Sequence, residues 1–490
     1  MQRSIVLVTV DCLRADHVGF MGYERPTTPF LDSLAKESFT IPTALAAGAP
    51  TYYSLPVILA SRFPLAMGRD ILGVGPLEPT LASVLKNEGY STAAFGAGNP
   101  YLSARFGYQQ GFETFRDFLA VDSAKGADNK SDAVRQGCAS RVNQLLRKVR
   151  PSMGALGPFY DELYFRYCEK VTPIPESLDD LRCYPAADVI VDHARDWLLS
   201  AGNKPFFLWL HLMDPHSPYY PKDAALSMLS QASFTPGRAR YLNSFWNRSD
   251  LQPSKFERHR REILALYDAG IRWVDEQIKR LIGSLRSSNR WDDCVFALTA
   301  DHGEEFLEHG GRYHPPSNLF EELIHVPLLV RLPGVQNRQQ HKSPFSLMHL
   351  APTLLGAACV PAPAGFQGRG LMGEMLRGAP FDDVAISECV DGCTNPFHAE
   401  NRMGPRILTV RESRYKLVIH FRSGVEELYD LESDPGERSA LPPQTERAVR
   451  RRLLAVAREH LHRSVQERDD KMRLHARLRD IQLDAARGRA

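Results

Sequence analysis

Short runs of β-branched and aromatic residues alternate along this chain with stretches in which apolar residues recur at helical spacing. The runs Ile5–Val10, Ser91–Phe95, Phe206–His211, Cys294–Thr299 and Pro327–Arg331 read as buried strands. Between them, Pro29–Ser38, Leu81–Asn87 and Glu262–Leu285 read as helices. The last has the clearest period: Ile263, Tyr267, Ile271, Val274, Ile278, Leu281 and Leu285 share one face, with charges opposite. Strands alternating with helices predict an α/β fold, a mostly parallel central sheet flanked by helices.

The regularity breaks over 122–183, a charged stretch with Gly and Pro that reads as an insertion able to cap a site or form an interface. Residues 1–375 are expected to form the catalytic domain containing that insertion. "RYKLVIHF" and "EELYDLESDPGE" read as strands of a smaller C-terminal α+β subdomain over 376–443. From Gln444 to the end the Arg-rich sequence reads as a solvated helical tail, the alternative being a contact between copies of the chain.

Bulk composition narrows the class without choosing a function. The 490 residues, 43% apolar and 24% charged, are those of a globular protein. A formal charge of +2 gives no argument for nucleic acid. No apolar run is long enough for a membrane span, and "MQRSIVLVTVD" lacks a signal-peptide layout, so the expectation is a cytoplasmic protein without a membrane partner. The eight cysteines are scattered and form no zinc-like pair.

Two predicted strands end in an acid. "VLVTVD" ends in Asp11, and "CVFALTAD" ends in Asp301 with His302 and Gly303 following. Ligands in open α/β sheets collect outside the carboxyl ends of strands. If the two strands are parallel neighbours, two carboxylates and an imidazole converge, a set suited to Mg²⁺, Mn²⁺, Ca²⁺ or Zn²⁺. Gly303 would let the backbone turn tightly there. A third segment, "AAGAPTYYSLPVILASRFP", places Thr51 just ahead of a predicted buried helix, where a hydroxyl meets the positive end of the helix dipole. Ser54 is the competing hydroxyl. A cation-bound hydroxyl loses its proton readily and becomes a nucleophile.

These segments, in order, resemble the sulfatase branch of the alkaline phosphatase superfamily. "VTVDCLRADHVGFMGYERPTTPFLDSLAKES" resembles its opening segment, "APTYYSLPVILASRFP" its nucleophile helix, and "PFFLWLHLMDPHSPYYP" its central strand with a Pro-His step. "TADHGEEFLEHGG", "LFEELIHVPLLVRLP" and the later "RYKLVIHF" and "ELYDLESDPGE" continue the likeness. The resemblance implies Asp11, Asp301 and His302 as metal ligands and Thr51 as nucleophile and further ligand. It implies His216 as the histidine touching substrate or leaving group. Asn99 and His314 fall where, or near where, relatives have lysines.

The departures are informative. Sulfatases carry Cys-x-Pro-x-Arg, or Ser in place of Cys, whose first residue becomes formylglycine. Thr51-Tyr52-Tyr53-Ser54-Leu55 cannot form that group. Cys12 stands where a second acid is common. Threonine nucleophiles occur in related phosphoglycerol transferases and phosphodiesterases. The expected activity is therefore phosphate-ester hydrolysis or transfer through a covalent Thr51 intermediate, on a small-molecule substrate. Sulfate-ester chemistry without formylglycine is the first alternative, and a catalytically silent binding protein the second. One divalent cation is expected, with a second left open by His309 and His314. Glu304, Glu305 and Glu308 read as a solvated helical face.

Overall fold

In a computed structural model of the protein, the described residues are 2–63, 65, 72–76, 78–119, 157–202, 204–229, 234–335, 343–381 and 384–464. Much of the predicted insertion and the end of the predicted tail lie outside them. The central sheet has seven strands: β1 (Ser4–Val10), β2 (Phe39–Thr40), β3 (Ser91–Gly96), β4 (Thr114–Arg116), β5 (Phe206–Leu212), β6 (Cys294–Ala300) and β7 (Leu328–Arg331). Their spatial order is β2-β7-β6-β1-β5-β3-β4. β1 lies at the centre, parallel to β5 on one side and β6 on the other, with Thr9 opposite both His211 and Thr299. β7 runs antiparallel to β6. β2 and β4 extend the sheet at its edges, as runs too short to leave a periodic signal in the sequence.

β1, β5 and β6 are buried on both faces, which is why they read as unbroken apolar runs. The helix Glu257–Ser287 covers one face with Ile263, Tyr267, Ile271, Val274, Ile278, Leu281 and Leu285, the residues its period singled out. Two buried acids tie helices to this frame. Asp275 on the long helix accepts the Phe30 and Leu31 amides at 3.0 and 2.8 Å, holding the start of the Pro29–Ala35 helix. Asp214 accepts the Ala187 amide at 3.0 Å at the start of the Ala187–Ser200 helix, and pairs with Arg182 at 2.9 Å.

A separate antiparallel sheet is built from β8 (Ala385–Val390), β9 (Arg406–Arg411), β10 (Tyr415–His420) and β11 (Val425–Asp430). The tail differs from expectation. Residues 447–464 are helical, and Val449, Leu453 and Ala457 pack against Leu408, Val410, Leu417 and Leu428. That apolar side is used inside the chain itself rather than solvated. Among the described residues, no helix is long and apolar enough to cross a membrane.

Burial, outweighing the two amide hydrogen bonds and Arg272, pushes the Asp275 carboxyl up from 3.8 to about 7. The folded protein therefore holds a proton there that the unfolded chain has released, so this group's contribution to stability falls as pH rises through that interval. The melting temperature of Asp275→Asn, measured against wild type by circular dichroism, is expected to rise over the same interval and level off above it. A difference independent of pH would contradict the assignment.

Candidate active site

The parallel register of β1 and β6 carries both chains to the same height, so Asp11 and Asp301 emerge side by side. His302 follows, fully buried like both acids. Its Nδ1–H donates to the Gly303 carbonyl at 2.8 Å, which leaves the Nε2 lone pair facing inward. Nε2 lies 3.7 Å from Asp11 Oδ1, 3.6 Å from Asp301 Oδ2 and 3.3 Å from Thr51 Oγ1. Gly303 is needed for a close approach rather than for an unusual turn. A Cβ there would sit 2.0 Å from the Glu322 carbonyl, and its amide bonds Leu323.

Thr51 is the first residue of a fully buried helix, Thr51–Ala60, rather than lying ahead of it, and Pro56 sits inside that helix. The Thr51 hydroxyl lies 3.4 Å from Asp11 Oδ2 and 3.5 Å from the Asn99 amide nitrogen. Asn99 Nδ2 also donates to Asp11 Oδ2 at 3.0 Å, while its Oδ1 accepts the Tyr101 amide. Ser54 is removed from contention, because its hydroxyl turns back to the Thr51 carbonyl.

Two imidazoles border this cluster. A ring nitrogen of His216 comes within 4.8 Å of the ligand atoms of Asp11 and Cys12. Its Nδ1 is hydrogen-bonded to the Ser217 carbonyl. His314 lies tilted against both neighbours, 5.1 Å from His216 and 4.6 Å from His302, ring centre to ring centre. His314 Nδ1 donates to Glu304 Oε1 at 3.0 Å. Both line a cavity of about 410 Å³ with Tyr220, Tyr313, Ser244 and Asn247. Cys12 holds a left-handed backbone (φ 61°) and points its thiol at Asp11 Oδ1, 3.1 Å away.

The acids after His302 do not form a solvated helix. Glu304 and Glu305 are fully buried outside any helix, and Glu308 pairs with Arg14 and Arg260. His309 bonds Glu322 and the Glu437 carbonyl and stacks on Phe320, so both its ring nitrogens are occupied away from Thr51. Asp214, in "DPH", serves Arg182 and a helix amide instead of the cluster. A residue that the pattern reading missed joins the site: His211, whose Nε2 lies 3.2 Å from Asp11 Oδ2. Its only signal was a polar residue inside an apolar strand run.

The electrostatics divide the two acids. Burial opposes ionisation of Asp11, yet the imidazoles of His216, His211 and His302 hold its carboxyl well below the usual range. Asp301 is pushed up, by burial first and then by the charge of Asp11. Asp301 Oδ2 is buried without a hydrogen-bond partner among the described residues. An orphaned carboxylate oxygen beside a second carboxylate, an inward imidazole lone pair and a hydroxyl is a donor set that fits a divalent cation.

The chain is similar to known proteins in sequence and in fold. A family profile described as Sulfatase matches residues 3–360, and one for the C-terminal part of N-sulphoglucosamine sulphohydrolase matches 308–463. An arylsulfatase of Clostridium perfringens is 22% identical over 476 residues, covering 89% of each chain. The ulvan-active sulfatase of Formosa agariphila is 23% identical over 89% of this chain and 76% of its own. Arylsulfatase K of Gallus gallus is 25% identical, but this chain spans only 50% of that protein's length. Among solved structures, the phosphonate monoester hydrolase of Agrobacterium radiobacter superposes with a TM-score of 0.61 at 18% identity, over 95% of this chain and 96% of its own. A protein solved with its substrate D-glucosamine-2-N,6-O-disulfate reaches 0.66 at 17%, over 95% and 99%. Sulfatase-family enzymes are hydrolases that depend on divalent metals, and the profile match over most of its length shows that this chain belongs to the sulfatase family.

Proposed function

We propose that the protein transfers the phosphoryl group of a small phosphate ester through a covalent intermediate on Thr51. The observation that carries the reading is the Thr51 hydroxyl: buried, at a helix start, and within 3.3–3.5 Å of His302 Nε2, Asp11 Oδ2 and Asn99 Nδ2. A divalent cation held by Asp11, Asp301, His302 and Thr51 Oγ1 would lower the pKa of that hydroxyl and neutralise charge on the group being transferred. Thr51 Oγ1 attacks phosphorus, forming a P–O bond as the bond to the leaving oxygen breaks. Asn99 Nδ2, which points at Thr51, donates to a non-bridging oxygen. His216 or His314, on the cavity side, gives a proton to the departing alkoxide. Water, or an acceptor alcohol, then attacks phosphorus and releases Thr51.

Phosphoryl rather than sulfuryl transfer follows from the side chain. A threonine ester has no hydrate from which to expel sulfate, so it must be opened by attack at the central atom, which phosphorus permits more readily. The second reading, sulfate-ester hydrolysis on unmodified Thr51, is favoured by the sulfatases among the curated relatives.

The deciding experiment assays metal-supplemented protein on aryl phosphodiester, phosphomonoester, phosphonate monoester and sulfate ester, with Thr51→Ala beside it. Thr51→Ala is expected to lose about 10³-fold or more in kcat, and acid-quenched wild type to yield a Thr51 peptide heavier by one phosphoryl group. Turnover of the sulfate ester alone would overturn the phosphoryl reading. A fully active Thr51→Ala would overturn the nucleophile. Asp301→Asn is expected to lower Mn²⁺ affinity at least tenfold by isothermal titration while the circular dichroism spectrum is retained.

A further inference from the structure

We infer that His211 is a positioning residue for the cation site, the inner end of a buried relay Trp209–Thr9–His211–Asp11 that fixes which oxygen of Asp11 faces the ion. The inference rests on the reading that Asp11 is a cation ligand. Trp209 and His211 are two positions apart on β5, so they share one face of the sheet. Thr9 lies opposite His211 on β1. Trp209 Nε1 donates to Thr9 Oγ1 at 3.0 Å, Thr9 Oγ1 lies 2.9 Å from His211 Nδ1, and His211 Nε2 lies 3.2 Å from Asp11 Oδ2. All four side chains are buried at 2% exposure or less.

The directions of the first and last bonds follow from their partners. An indole N–H can only donate, so Thr9 accepts from Trp209. A carboxylate can only accept, so the proton between His211 and Asp11 sits on Nε2. On the other side of the ring, Nδ1 and the Thr9 hydroxyl share a hydrogen bond of 2.9 Å, with the Leu210 carbonyl farther from that hydroxyl, at 3.3 Å. Asp11 Oδ2 thereby collects His211 and Asn99, with the Thr51 hydroxyl at 3.4 Å, while Oδ1 is turned toward His302 Nε2 at 3.7 Å and the Cys12 thiol at 3.1 Å. Without the relay the carboxylate could rotate about its own bond, and the ligand oxygen would not be held in place. Partners of this kind, behind a ligand, change metal affinity by roughly 10–100-fold when removed.

The test measures Mn²⁺ binding to full-length protein by electron paramagnetic resonance of the free ion and by calorimetry, without substrate. His211→Leu is expected to bind roughly 10–100-fold more weakly. His211→Gln, whose side-chain amide can still donate to Asp11, is expected to stay within about threefold of wild type, a rescue that loss of packing alone would not give. Thr9→Val keeps shape but breaks the relay, so it carries the test if His211→Leu fails to fold; a drop of about tenfold is expected. Wild-type affinity in folded His211→Leu or Thr9→Val, or a Gln variant as weak as the Leu variant, would overturn the inference alone. A wild-type protein that binds no Mn²⁺, Mg²⁺, Ca²⁺ or Zn²⁺ would overturn the cation reading and this inference with it.

Discussion

Two carboxylates forced together away from water are the constraint on which this structure turns. Asp11 and Asp301 end adjacent parallel strands, and neither can retreat to solvent. Like charges in such a place raise each other's cost of ionisation. The protein answers on one side only. Asp11 is surrounded by His211, His302, His216 and Asn99 and stays charged, while Asp301 keeps an oxygen that none of the described residues satisfies. The asymmetry makes the cluster a receptor for positive charge, and the helix start at Thr51 brings the hydroxyl to the same point.

The family explains the frame, and the departures from it define the chemistry. A glycosaminoglycan sulfatase and a phosphonate monoester hydrolase share this architecture at identities below one fifth, so the sheet and its neighbours tolerate wide sequence change. What a given member does is decided by the side chains at the strand ends. Here Thr51 starts the buried helix beside Asp11, Asn99 donates to that aspartate, His314 lies against His302, and a thiol stands beside Asp11.

Much of this was legible from pattern. Asp11 and Asp301 stood out because an acid closes an otherwise apolar run, and that break is a sheet-end signal independent of tertiary contacts. The long helix was visible because its apolar face is wide and regular. His211 was not, since inside an apolar strand a single polar residue looks like noise until register sets it against Thr9 and Asp11. Glu304 and Glu305 were misread for a related reason. A run of acids predicts solvent exposure, but His314, Asn318 and the amides of His309 and Gly311 give these two buried partners from distant or non-helical positions. The tail was misjudged because its apolar stripe is narrow, and only the sheet beneath it shows where Leu453 belongs.

The chain distances across the cluster carry a consequence for how the protein is made. Asp11 meets a histidine 200 residues away, and Thr51 meets one 251 residues away. No short segment supplies more than the Asp301–His302 pair, so the pocket cannot exist before the central strands have paired. Closing loops of that length is slow and comes late. Binding therefore rewards only a finished sheet. An ion arriving there deepens the native basin and retards its loss, leaving the rate of arrival at that basin to strand pairing alone.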